Sequence, residues 1–236
     1  MLEAKKCELL KVMRGEYIKA ILEAGAVKIA PTLGERFKLR SGGLSWIYVD
    51  HGDMLCQPST EKPFIDAIGT LIECAFPQDK VVLVNLASKA SPHETGAVAY
   101  RNGLRQIIIS PDEVAQAEKG TNRRVRLPHQ MSDDDILVVV DDVLTKGGTL
   151  KEGLVIVKDA LRERFGEKAD MFPIHLVVGM SRASTETLEM LKRQGIEVIS
   201  LASIEEIIIS TWSSFSAEQQ SGLLSEFPKL NEMIPK

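Results

Sequence analysis

The stretch Ile136-Leu137-Val138-Val139-Val140-Asp141-Asp142-Val143-Leu144-Thr145-Lys146-Gly147-Gly148-Thr149 decides how this chain folds. It opens with an apolar run that shows no polar alternation, which predicts a strand buried on both faces, as in a parallel sheet. Two adjacent acids follow, and a turn of small and hydroxyl residues leads into a predicted helix. Such a turn exposes backbone N–H groups at a helix N-terminus, an arrangement that binds phosphate.

The two acids beside this turn, Asp141 and Asp142, extend the chemistry that the stretch can perform. Adjacent carboxylates can hold a ribose diol or lie near a Mg²⁺ ion. They follow a buried strand, and open α/β sheets bind ligands at the carboxyl ends of their strands. Neither common nucleotide motif fits, because G-x-G-x-x-G is absent and Lys146 precedes the glycines, unlike a P-loop lysine. The simpler interpretation is an ordinary strand-turn-helix with a solvated acidic turn.

Composition restricts the class of protein. The chain has 236 residues, 44% of them hydrophobic, which suits one α/β domain with a large core. A net charge of −4 and a pI near 5.7 argue against a nucleic-acid partner. The three cysteines form no C-x-x-C pair and fit a reducing cytosol. No apolar run approaches the ~20 residues needed to span a bilayer, and the amphipathic N-terminal pattern differs from a signal peptide. We therefore expect a cytoplasmic protein without a membrane partner.

Strand and helix patterns alternate from residue 81 onward, which predicts a mainly parallel sheet with right-handed crossovers. The predicted strands are 81–86, 106–110, 136–140, 174–179 and 197–201, and the predicted helices are 95–102, 149–165, 184–194, 204–210 and 217–226. Before them lie a predicted helix at 2–24, short strands at 27–30 and 44–50, and a helix with Pro63 in its first turn. The expected organisation is a helix and cap (hood) in 1–75, a core in 76–212 and a helical extension in 213–236, within one compact domain.

The stretch 137–149 resembles the PRPP-binding motif of type I phosphoribosyltransferases: four apolar residues, two acids, two apolar residues, then Thr-x-Gly-Gly-Thr. The resemblance implies an α/β fold, with a parallel sheet flanked by helices and an N-terminal hood. It also implies Mg²⁺ as cofactor, held indirectly by Asp141 and Asp142 through PRPP or water. The PRPP-binding residues that it implies are Asp141, Asp142, Thr145, Lys146, Gly147, Gly148 and Thr149.

A second stretch, Phe37-Lys38-Leu39-Arg40-Ser41-Gly42-Gly43-Leu44-Ser45-Trp46-Ile47-Tyr48, resembles the N-terminal signature of orotate phosphoribosyltransferases. Trp46 departs from that signature, which usually has proline there. A cation beside Ser-Gly can grip a carboxylate, and the following aromatic residue offers a wall for a flat base. Arg40 and Tyr48 are therefore candidate base-binding residues. The alternative is a plain β-hairpin with a tight Ser-Gly-Gly turn.

Two further segments match the family in part. Asn85-Leu86-Ala87-Ser88-Lys89-Ala90-Ser91-Pro92 resembles its pyrophosphate loop, with glycines replaced at two places, and makes Lys89 a candidate catalytic and PRPP-binding cation. Gly179-Met180-Ser181-Arg182 resembles the end of a strand whose arginine binds the orotate carboxylate, although Ser181 replaces an aspartate there. The alternatives are a solvated lysine and a surface arginine. We expect His93-Glu94 to serve helix capping.

The resemblance weakens between Ile109 and Ile136, where the family's mobile catalytic loop, Arg-Lys-x-x-Lys-x-x-Gly, is absent from the sequence. The basic residues there could neutralise pyrophosphate or form a solvated loop; they are Lys119, Arg123, Arg124 and Arg126. Whether this segment supplies a catalytic lysine stays open.

Together the motifs predict an enzyme, a Mg²⁺-dependent phosphoribosyltransferase. It would transfer phosphoribosyl from PRPP to orotate in pyrimidine biosynthesis, giving orotidine 5′-monophosphate and pyrophosphate, with Asp141, Asp142 and Lys89 as catalytic residues. The resemblance also implies a homodimer. The alternatives are a related transferase acting on another base and a non-catalytic PRPP-sensing regulator of the same fold. The acidic pI and the lack of a basic recognition helix argue against the regulator.

Overall fold

A computed structural model of the chain describes residues 2–39, 43–86, 91–109 and 125–234. The N-terminal part contains a long helix and two small antiparallel sheets. We call the two sheets, which lie between Val27 and Val49, the hood. One hood sheet pairs β1 with β4 and the other pairs β2 with β3. The elements in chain order are α1 (Leu2–Glu23), β1 (Val27–Ile29), β2 (Phe37–Lys38), β3 (Leu44–Ser45), β4 (Ile47–Val49), α2 (His51–Leu55) and α3 (Pro58–Ala75).

The rest of the chain builds the central sheet and the helices that cover it. The strands are β5 (Val81–Asn85), β6 (Arg105–Ile109), β7 (Val125–Arg126), β8 (Ile136–Leu144), β9 (Ile174–Ser181) and β10 (Ile196–Ser203). The helices are α4 (Ser91–Asn102), α5 (Gly148–Phe165), α6 (Thr185–Arg193), α7 (Ile204–Ser210), α8 (Ala217–Glu226) and α9 (Leu230–Met233).

The central sheet has six described strands in the order β10-β9-β8-β5-β6-β7, and β7 alone of these runs antiparallel to its neighbour. Strand β8 lies in the middle, parallel to both β5 and β9. The predicted α/β fold with a mainly parallel sheet is confirmed.

Apolar layers cover both faces of this sheet because successive side chains of a strand point to opposite sides. Val138 and Val140 of β8 face a cluster that contains α1 and α3 residues. Leu137 and Val139 face the other cluster, with Leu154 of α5. All four β8 side chains are fully buried, as the unbroken apolar run predicts. No helix among the described residues has both the length and the apolar composition that spanning a membrane requires.

Several boundaries differ from the sequence prediction: helix α4, for example, begins at Ser91 instead of Thr95. Two further differences have a clear physical reason. Strand β8 continues past Val140 to Leu144, because its pairing with β9 continues after β5 has ended. The acids therefore lie on the strand itself. Helix α3 begins at Pro58, where a missing N–H costs nothing, so Pro63 falls inside the helix instead of in its first turn.

Candidate active site

The carboxyl end of β8 carries the two predicted acids. Asp141 is in register with Val178 of β9, and Val143 with Met180, so both acids are held at the edge of the sheet by strand pairing. Asp141 and Asp142 are each half-buried. The structure thus presents two neighbouring carboxylates at the edge where parallel sheets bind ligands.

The two acids differ in their surroundings. A carboxylate oxygen of Asp141 accepts a hydrogen bond from the Asp142 backbone N–H at 3.2 Å, and one of Asp142 accepts from the Val143 N–H at 2.7 Å. Burial, followed by the negative charge of Asp142, raises the pKa of Asp141 to about 7. A ligand with hydroxyl donors or positive charge would favour the ionised form of this acid.

The turn after β8 leads into a helix start that no side chain caps. Gly147 is the N-cap residue of α5, and its φ of +68° lies in the left-handed region that favours glycine. The first turn of α5 contains no acidic residue. Thr145 and Lys146 are exposed beside it, and the Thr149 side chain lies outside the described part of the chain. This helix start is suited to an anion such as phosphate.

A group of buried polar side chains lies behind the acids. Glu94 of α4 is fully buried, and neither of its carboxyl oxygens has a hydrogen-bond partner among the described residues. The hydroxyl of Tyr17 and Nε2 of His51 lie 2.7 Å apart, both almost completely buried. The Tyr17 hydroxyl also approaches Gly179 so closely that a Cβ atom there would meet it at 2.9 Å. These buried polar groups lie close enough to Asp141 and Asp142 for the charges of the acids to act on them.

Glu94 is the site residue that the sequence prediction missed. Burial and then the charges of Asp142 and Asp141 raise the pKa of Glu94 to about 9, which keeps it protonated at neutral pH. It is the fourth residue of α4 and shares a helical face with buried Val98. That spacing is the signal that would have predicted a buried carboxyl in place of the expected capping residue.

Comparisons with known proteins found similar sequences, although no family model matches the chain. It is 26% identical over 137 residues to an orotate phosphoribosyltransferase of Lactobacillus johnsonii, a match covering 58% of this chain and 60% of the relative. It is 25% identical over 198 residues to the Pyrococcus furiosus enzyme of that name, covering 83% of this chain and 95% of the relative. The chain resembles orotate phosphoribosyltransferases.

Solved structures show that the fold is that of phosphoribosyltransferases. The structure of orotate phosphoribosyltransferase from Aeropyrum pernix matches with a TM-score of 0.59 and 20% identity, over 84% of this chain and 99% of that one. The Leishmania donovani UMP synthase matches with a TM-score of 0.67 and 15% identity, over 92% of this chain but 42% of that one. At these identities the structural likeness establishes the phosphoribosyltransferase fold.

The predicted PRPP-binding residues lie on one continuous segment of this fold, from Asp141 at the end of β8 to Thr149 in the first turn of α5. Arg182 adjoins them, because its backbone N–H donates to the Leu144 carbonyl at 2.9 Å. Lys89, the other predicted PRPP contact, lies outside the described residues. The structure therefore unites the acids, the turn and the helix start.

The predicted base-binding residues are not brought together in the same way. Arg40 lies outside the described residues. Tyr48 is half-exposed on β4, and its ring packs against Phe37 with centroids 5.7 Å apart. The Arg182 side chain donates to the Ile47 carbonyl of the hood at 3.0 Å and to Glu226 of α8 at 2.7 Å. In this structure the Arg182 guanidinium is occupied by groups of the chain itself.

The carboxyl end of β8 with Asp141 and Asp142, which we call the acidic edge, suits a metal ion that is bound mainly through water and substrate phosphates. The described residues contain no group of three or more His, Cys, Asp or Glu side chains placed to hold a metal ion. Mg²⁺ requires no such group, since it keeps several waters and binds through one or two carboxylates together with substrate phosphates. The pair Asp141 and Asp142 fits that indirect mode.

A cleft lies elsewhere in the fold. It has a volume of about 540 Å³ and is bordered by Ile174, His175 and Ile196, at the amino ends of β9 and β10. Parallel sheets bind ligands at the opposite, carboxyl ends of their strands. The cleft is therefore remote from the acidic edge, which remains the candidate active site.

Proposed function

We propose that this protein is a Mg²⁺-dependent phosphoribosyltransferase that transfers phosphoribosyl from PRPP to orotate, giving orotidine 5′-monophosphate and pyrophosphate. One observation carries the proposal. In a phosphoribosyltransferase fold, Asp141 and Asp142 near the end of β8 are followed by a helix whose N-cap residue is Gly147 and whose first turn has no side-chain cap. The choice of orotate is supported by the names of the two sequence relatives.

Each part of the edge has a role in this proposal. The backbone N–H groups at the start of α5, with the Thr145 and Thr149 hydroxyls, bind the 5′-phosphate of PRPP. Asp141 and Asp142 accept hydrogen bonds from the ribose hydroxyls, and their negative charge stabilises the cationic sugar of the transition state. Mg²⁺, when bound, neutralises the charge that develops on pyrophosphate. Catalysis then rests on alignment and electrostatics, without a protein nucleophile.

The remaining predicted residues complete the proposed site. Lys89 assists pyrophosphate departure as a positive point charge, and Lys146 lies in the turn that receives the phosphate. Arg40, Tyr48 and Arg182 bind the base, with the two arginines directed to its carboxylate. We propose, further, a cytoplasmic homodimer, and sedimentation velocity on the purified chain measures that oligomeric state.

A coupled pyrophosphate assay tests this function directly. Purified protein is mixed with PRPP, Mg²⁺ and, in separate reactions, orotate, a neutral pyrimidine and purines. We expect pyrophosphate release that depends on orotate. Pyrophosphate release with a purine but not with orotate would show that the substrate is another base. No pyrophosphate release with any base would contradict the enzymatic function and favour a PRPP-sensing regulator.

A further inference from the structure

Helix α8 contacts the hood through one carboxylate, that of Glu226. One oxygen of Glu226 accepts a hydrogen bond from the Trp46 backbone N–H at 2.8 Å, and the other lies 2.6 Å from the fully buried Ser45 hydroxyl. Proline, the usual residue of the resembled signature at position 46, has no N–H and could not make the first bond. The departure at Trp46 is therefore matched by a partner in the C-terminal extension.

The same carboxylate neutralises Arg182. The guanidinium of Arg182 donates to the Glu226 carboxylate at 2.7 Å and also to the Ser45 hydroxyl. It lies 5.5 Å from the centre of the Phe227 ring, and its side chain is only 10% exposed. A charge-assisted contact in so closed a place is strong, because little water competes for the arginine.

Neighbouring contacts hold α8 in this position. Gly222 lies so close to the Trp46 ring that a Cβ atom there would meet it at 2.1 Å, and Leu223 is fully buried in the core. Gln219 donates to the Ala30 carbonyl at 3.1 Å, and Glu218 accepts from the Leu33 N–H at 3.2 Å. The backbone of α8 is thus anchored independently, so the Glu226 side chain can rotate away while the helix stays in place.

We propose that Glu226 is an internal ligand of Arg182 that determines which bases the site accepts. An anionic base must displace the Glu226 carboxylate before it can bind this arginine, whereas a neutral base leaves the pair intact. This inference rests on the proposed function, since it concerns the base site of that reaction. The physical reason is that Nη2 of Arg182 already donates to Glu226 and Ser45, and Nη1 to the Ile47 carbonyl, while only 10% of the side chain is exposed. A ligand carboxylate therefore reaches this charge by taking the place of Glu226.

Substitution of the competing carboxylate tests the inference. Glu226→Gln keeps the shape of the side chain but removes its charge, so orotate should bind roughly tenfold more tightly, the scale of one hydrogen bond to a charged group. The KM for orotate should fall accordingly while the KM for PRPP stays unchanged. The matched control is Glu218→Gln, on the same helix and also bonded to the N-terminal segment, which should bind orotate as the wild type does.

Equilibrium dialysis with orotate gives its dissociation constant without turnover, and this separates the two claims. If no variant releases pyrophosphate but Glu226→Gln binds orotate more tightly than the wild type, the proposed function fails and the inference stands. If the enzyme is active but Glu226→Gln and Glu218→Gln bind orotate equally, the inference is overturned. Absence of orotate binding to every variant overturns it as well.

A measurement on the unaltered chain covers the case in which Glu226→Gln folds poorly. The Trp46 amide proton is bonded to Glu226, so its exchange with solvent reports whether that carboxylate is in place. Saturating orotate should accelerate exchange at the Trp46 amide, measured by NMR. The Phe227 amide, which donates to the Leu223 carbonyl at the end of α8, is the control and should keep its protection. Unchanged or slower exchange at Trp46 with orotate bound would overturn the inference.

Discussion

Three carboxyl groups define the candidate site at the scale of single residues. Asp141 and Asp142 are half-buried at the sheet edge, and Glu94 is fully buried beneath them. Charges of the same sign at short range disfavour simultaneous ionisation, which adds to the effect of burial. Glu94 therefore remains neutral at pH 7 and adds no negative charge to the site.

Glu94 should make the stability of the protein fall as pH rises. Its pKa is raised from 4.5 to about 9 in the folded chain. Between these values the unfolded chain releases a proton that the folded chain retains, so unfolding is favoured increasingly up to about pH 9. Glu94→Gln removes this dependence and should raise the free energy of unfolding at pH 8 by at least about 1 kcal/mol.

Urea unfolding of the wild type and Glu94→Gln at pH 5, 7 and 9 measures the effect. The control is Glu163→Gln on α5, where the side chain is exposed and the pH profile should match that of the wild type. Parallel pH profiles for wild type and Glu94→Gln would contradict the assignment of a buried, neutral carboxyl.

Gly147 is the residue whose backbone the turn requires. A Cβ atom at Gly147 would have room, because its nearest neighbour would be a Leu191 methyl carbon at 3.7 Å. The φ of +68° would nevertheless strain any residue that has a Cβ. Gly147→Ala should destabilise the protein by about 1 kcal/mol. Gly148→Ala, next in sequence and inside the helix, has no positive φ and should be neutral or stabilising. Equal thermal stability of the two variants would contradict the role of the left-handed turn.

At the scale of elements, β8 and α5 were predictable because their signals are local. An unbroken apolar run predicts a buried strand, and the turn chemistry predicts the helix that follows. The same holds for α7 and α8, whose bounds agree with the prediction. The extension of β8 through Asp141 and Asp142 was not predictable, because it depends on pairing with β9, a strand 30 or more residues away along the chain.

The start of β6 is joined to the turn before β8 by a buried ion pair. Arg105 donates to both carboxylate oxygens of Asp135, at 2.9 and 2.7 Å, and Asp135 is 1% exposed. Arg105→Met leaves the Asp135 carboxylate with the Ser132 N–H as its remaining described partner, and should cost about 3–5 kcal/mol.

Chemical denaturation at pH 7 measures this cost. The double variant Arg105→Met with Asp135→Asn removes the unpaired charge and should recover part of the lost stability. If Arg105→Met lowers the free energy of unfolding by less than about 1 kcal/mol, the ion pair does not contribute to stability as a buried pair.

At the scale of the whole molecule, the sequence predicts the sheet and the turn after β8, but not the contacts that enclose Arg182. The contact between Trp46 and Glu226 joins residues 180 positions apart. Neither residue carries a local signal for the other, and the pairing of Arg182 with Glu226 arises only when the hood and the C-terminal helix pack together. Arg182 was predicted to bind a ligand carboxylate, and the folded chain shows a carboxylate of its own at that position.

We propose that Asp141 and Asp142 form a PRPP site at the end of β8. The double variant Asp141→Asn with Asp142→Asn keeps side-chain shape and removes a carboxyl group whose burial raises its pKa, so the fold should persist. The variant loses two charged hydrogen-bond acceptors, which should weaken PRPP affinity by about 100-fold or more.

Isothermal titration of PRPP with Mg²⁺ into the wild type and this double variant, both checked for equal thermal stability, is the most direct measurement. We expect saturable binding to the wild type and loss of that binding in the folded variant. Equal affinity of the two proteins for PRPP, or no binding to the wild type, would contradict it.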